Sequence, residues 1–106
     1  MATNGTYNST VTPSGPNGTM VVGGSSGAVT VSYAGTSCSV NQAASSGVAL
    51  SFSYATGGKT YDFVGACANS TYNGTCVEQR SQKNRVTTDD NWTASSTGPK
   101  NPKPSA

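Results

Sequence analysis

A chain of 106 residues has the size of one domain, and half of its positions are Ser, Thr, Gly or Asn. The formal net charge is only +2, His is absent, and the first charged side chain is Lys59. This balance argues against charge-driven disorder and against a nucleic-acid binder, and no apolar run is long enough for a membrane span.

With no Ile and a single Leu, the volume of any core must come from Val, Tyr, Phe, Ala and Trp92, a composition that favours strands. Tyr7 to Thr12 and Thr19 to Val22 read as short strands separated by the turn-forming run Pro13 to Gly18. Ala28 to Tyr33 alternates, with Val29, Val31 and Tyr33 expected inward. Ser37 to Asn41 is a weaker strand. Val48 to Tyr54 is the clearest, placing Val48, Leu50, Phe52 and Tyr54 on one face. After Gly57-Gly58, Thr60 to Val64 forms another, and Ala68 to Thr75 reads as a polar loop. Asn84 to Thr88 and Asn91 to Ser96 complete the series. The expectation is all-β: a single antiparallel β-sandwich of about seven or eight short strands with extended termini. It occupies residues 1–96, and residues 97–106 form an extended Pro/Lys-rich arm.

Asn4 to Thr10 and Asn69 to Thr75 both read Asn-x-Thr-Tyr-Asn-x-Thr, which suggests two similar surface hairpins or edge segments. Six Asn residues stand in Asn-x-Ser/Thr: Asn4, Asn8, Asn17, Asn69, Asn73 and Asn91. Each is a candidate for N-glycosylation, set against the ordinary role of Asn in turns. Three cysteines allow one disulfide. Cys67 with Cys76 would close the polar loop, or Cys38 would pair with one of them across two sheets. No C-x-x-C and no His leave no expected metal set, and no cofactor is implied. Without His, and with only Asp62, Glu78, Asp89 and Asp90 as carboxylates, the chain is expected not to be an enzyme. Arg80, Lys83 and Arg85 read as a solvated face. Tyr7, Tyr72 and Trp92 are candidates for stacking on sugars, although Trp is also the usual anchor of a small core.

The stretch Arg85 to Ser95, with Asp89-Asp90-Asn91-Trp92-Thr93-Ala94, resembles the late-strand signature of bacterial immunoglobulin-like domains. Gly58 to Cys67, followed by Cys76, is similar to the central strand and short disulfide loop of neocarzinostatin-type sandwiches. The resemblance implies an immunoglobulin-like sandwich and nothing about a ligand. Strands without charge invite edge-to-edge association. The expected function is therefore a non-enzymatic structural subunit of an extracellular filament or of a cell-surface or virion-surface assembly. Its partners would be copies of itself or neighbouring subunits, met through uncharged strand edges, Asn4 to Thr10 among them, and through the terminal arm. The alternative is a carbohydrate-binding or adhesive module using exposed aromatics, with glycans as partners. A small-molecule carrier is a third reading.

Overall fold

The structure, a computed structural model, describes residues 4–12, 15–25, 27–79 and 90–97. Nine strands follow one another: β1 (Gly5–Thr12), β2 (Gly18–Ser25), β3 (Ala28–Tyr33), β4 (Thr36–Ser37), β5 (Ser39–Val40), β6 (Ala49–Thr56), β7 (Lys59–Ala68), β8 (Thr71–Gln79) and β9 (Asp90–Ser96). All neighbours are antiparallel, in one sheet of order β4-β3-β2-β1-β9-β8-β7-β6-β5. Instead of two layers of seven or eight strands, the described residues form a single nine-stranded sheet. Every pair except β1–β9 joins strands adjacent in the chain, so the long crossovers of an immunoglobulin sandwich are missing.

The sheet curls into a nearly closed barrel. β4 pairs with β3 at one end of the order, β5 pairs with β6 at the other, and Cys38 alone separates β4 from β5. One short segment therefore ties both ends together, and Cys38 N donates to Val31 O at 2.9 Å on the way across. Nine strands thus make about eight staves, a size whose interior is just wide enough to be filled by side chains.

That filling is aromatic. Seven of the eight aromatic residues are buried, and Tyr61 packs against them half-buried. Phe52 and Phe63, directly opposite each other on β6 and β7, stack at 4.7 Å, and Trp92 meets the Phe63 ring edge-on at 5.2 Å. Trp92 also stacks on Tyr72, which meets Tyr7 edge-to-face at 5.0 Å. Such contacts are worth about 0.5–1.5 kcal/mol each beyond the area they bury. They compensate for the scarcity of Leu and Ile.

Space for the indole comes from two facing glycines. Gly74 lies opposite both Gly65 and Trp92. A Cβ on Gly65 would fall 2.9 Å from Trp92 Cζ3, and one on Gly74 would meet the Val64 carbonyl at 1.9 Å. Glycine inside these strands marks a close approach of backbone and ring.

The polar groups inside the barrel satisfy one another in a line. Trp92 Nε1 donates to Ser9 Oγ at 2.9 Å, Ser9 Oγ is 2.6 Å from Tyr33 OH, and Tyr33 OH donates to the Pro16 carbonyl at 2.6 Å. With Tyr33 donating to Pro16, Ser9 must donate to Tyr33. The chain of donors then runs in one direction from indole to carbonyl.

One sector is closed by side chains instead of a strand. Beside Val29, the 3-10 turn Gln42–Ala44 occupies the gap between β3 and β6. Gln42 accepts from Val29 N and donates to Val29 O, both at 2.8 Å, as a neighbouring peptide unit would. Ser45, itself buried, donates from Oγ to Ser51 O at 3.1 Å and accepts from Ser51 N at 2.9 Å. The turn therefore mends the edges of both flanking strands.

Candidate functional site

Tyr7, Tyr72 and Trp92, expected at the surface as sugar platforms, are 1 %, 0 % and 1 % exposed. The reading is corrected: all three face the barrel interior, because a chain with one Leu and no Ile spends its rings on the core.

The expected disulfide is corrected as well. Cys38, Cys67 and Cys76 are all free thiols. The segment read as a polar loop is a strand, turned at Asn69-Ser70, where both residues adopt positive φ (53° and 63°) as a two-residue type I′ hairpin requires. In that register Cys67 faces Tyr72 and Cys76 faces Phe63, four residues apart along the ladder. At about 3.3 Å per residue, that spacing is roughly twice the Cα separation a disulfide tolerates. Burial pushes the Cys76 thiol up to about 12, with Asp90, Asp62 and Glu78 adding to the shift. Burial likewise raises Cys38 to about 11, against a smaller lowering by its backbone contact with Tyr33. Neither is a ready nucleophile near neutral pH.

The two copies of Asn-x-Thr-Tyr-Asn-x-Thr are not edges. They lie in β1 and β8, the two strands that flank β9, so Asn4 to Thr10 belongs to a region where β1 has a partner on each side. Their tyrosines, Tyr7 and Tyr72, meet beneath β9. Their Asn and Thr residues point outward on either side of it. Three rows cross the strands: Asn8, Ser95 and Thr71; Thr10, Thr93 and Asn73; Thr12, Asn91 and Thr75. Thr93 Oγ1 donates to Asn73 Oδ1 at 3.4 Å within the middle row. β2 extends the face with Thr19 and Val21, opposite Asn8 and Thr6. Among the described residues no charged side chain stands in it. Of the candidate glycosylation sites, Asn8, Asn73 and Asn91 sit on this face, Asn69 is in the hairpin turn, and all six, Asn4 and Asn17 included, are exposed.

Four charged residues occur among the described ones: Lys59, Asp62, Glu78 and Asp90. Lys59 and Glu78 approach to 3.9 Å in an exposed pair worth little. Arg80, Lys83, Arg85, Asp89, the expected strand Asn84 to Thr88 and the arm beyond Thr97 lie outside the described residues. No cluster of three metal-ligating side chains, and no helix long and apolar enough to cross a membrane, is present among the described residues.

Across the outer surface of β5, β6 and β7 runs a cleft of about 280 Å³ lined by Ser39, Asn41, Ser51, Phe52, Ser53, Asp62 and Val64. It exists because β6 presents only serines outward there, with the short Ser39 on β5 to one side and the taller Asp62 and Val64 on β7 to the other. Asp62 is held in place from two sides. Ser53 Oγ donates to its Oδ1 at 2.6 Å, and Gln79 Nε2 lies 2.8 and 2.7 Å from its two oxygens. Nothing in the sequence distinguished these small outward residues from ordinary strand polarity. The parity of Ser51, Ser53, Asp62 and Val64 on two paired strands is the signal from which the cleft follows.

No protein-family model matches the chain, and no curated protein or solved structure matches it.

Proposed function

We propose that this chain is a non-catalytic structural or adhesive subunit of an extracellular or surface assembly, and that it meets neighbouring copies through the neutral outer face of β1, β8 and β9. One observation carries the reading: three aligned rows of Asn, Thr and Ser without a charge, in a chain that has charges to place elsewhere. Thr hydroxyls and Asn amides each donate and accept, so two such faces are chemically self-complementary. Burying them desolvates no ion, the usual penalty of surface docking. Strand edges are replaced by a sheet face as the contact, since closure of the barrel leaves β1 and β9 paired.

Light scattering over a concentration series on the full chain tests this. Association is expected, and Thr10→Lys with Thr93→Lys, opposite each other at the centre of the face, should abolish it while leaving the circular dichroism unchanged. A monomer at every concentration, or association indifferent to both lysines, would sink the proposal.

A further inference from the structure

The cleft over β6 is built from hydrogen-bonding groups around one fixed carboxylate, and it borders the neutral face, with Val64 opposite Thr75 of β8. Several ligand classes fail to fit it. A phosphate or carboxylate would meet the charge of Asp62 without a cation in the lining to offset it. A divalent cation needs several oxygen ligands, and here a single carboxylate already accepts from Ser53 and Gln79. An extended peptide adding as a strand finds β6 already paired at the cleft, with β5 at Phe52 and Ser53 and with β7 along its length.

A neutral polyol fits what remains. Asp62 Oδ2, which holds a single donor, can accept from one further hydroxyl, and the hydroxyls of Ser39 and Ser51 both donate and accept. Asn41, whose Oδ1 takes the Ala44 N–H at 3.3 Å, brings its NH₂ group as a donor. Val64, 52 % exposed, offers an apolar surface for the C–H face of a ring. The volume falls just below the usual range of ligand pockets, roughly 300 to 1,000 Å³, and suits a single ring better than a long chain. We infer that this cleft is a binding site for a sugar unit of a neutral glycan, held by hydrogen bonds instead of by aromatic stacking.

Titration of the ¹⁵N-labelled full chain with gluco-, manno- and N-acetylglucosamine-type oligosaccharides at millimolar concentrations is the test. At least one series should give saturable amide shifts confined to Ser39, Asn41, Ser51, Ser53, Asp62 and Val64. Asp62→Asn should weaken that binding by roughly tenfold, as loss of a charge-assisted hydrogen bond does. Ser51→Tyr, which places a β-favouring ring in the cleft, should remove it while the rest of the spectrum stays folded. Absence of saturable shifts with all three sugars overturns the inference, and so does binding that survives both substitutions or maps to another face. Light scattering on Ser51→Tyr keeps this outcome separate from self-association, which depends on β1, β8 and β9.

Discussion

Ser9 is a small residue at the junction of the barrel's buried polar groups. It accepts from Trp92 and is bonded to Tyr33, residues 83 and 24 positions away. Removing its hydroxyl leaves the indole N–H without an acceptor in a site that water does not reach. Ser9→Ala should therefore destabilise the fold by about 1–3 kcal/mol, the penalty of a buried unpaired donor, although the side chain shrinks by one atom. Urea unfolding followed by Trp92 fluorescence measures it, and an unchanged midpoint would show that the chain of donors is energetically idle. In the sequence, Ser9 is one of sixteen serines. Nothing local marks it; only its inward parity between Tyr7 and Val11 does, once β1 is known to be central.

At the scale of elements, closure by side chains invites a direct test. Gln42→Ala leaves Val29 N–H and C=O without the amide that pairs them, and amide exchange at Val29 should accelerate ahead of its neighbours on β3. The loss of stability should be about 1 kcal/mol, the low end for an unmade hydrogen bond, because Val29 is only partly buried. Unaltered exchange at Val29 would mean that the turn is not the seal. Alternation made several strands legible: Ala28 to Tyr33 coincides with β3, and Leu50, Phe52 and Tyr54 face inward on β6. Val48 was expected with them, yet it precedes the strand and is exposed. β8 escaped because its inward positions are Tyr72, Gly74 and Cys76, which carry little hydrophobic signal, while Asn73-Gly74 reads as a turn pair. Nor could strand patterns choose between a sandwich and a barrel. That choice rests on the pairing of β1 with β9, a contact between distant segments that no local pattern encodes. The cleft was equally hidden, since it needs the register of three strands.

For the molecule as a whole, the buried protons set the response to alkali. Burial holds the Cys76 thiol near 12, the Cys38 thiol near 11 and the Tyr33 phenol near 12, and it raises Tyr7 further still. In an unfolded chain a thiol titrates near 8.5 and a phenol near 10. The folded barrel keeps protons that the unfolded chain releases. Stability should thus be complete below about pH 8.5 and fall steadily as the pH climbs towards 11–12. Melting temperatures taken from about pH 7 to pH 11 should show the decline, and Cys76→Ala should flatten its early part relative to its own neutral value. A curve that stays level to pH 11 would contradict the burial of these groups.

The order in which the barrel can be completed follows from its one distant pairing. The ladders of β1 with β2, β2 with β3, β6 with β7 and β7 with β8 each close only a short loop, whereas Tyr7 must find Ser96 and Val11 must find Trp92. Until that pairing forms, the margins left without partners are β1 and β9. Both margins are rich in Asn, Thr and Ser and nearly free of charge, with Asp90 at the start of β9 the lone exception. The hazard of uncharged edges thus belongs to the unfinished molecule. It ends when the last strand arrives, and a chain delayed at that step would exchange β9 with a neighbour.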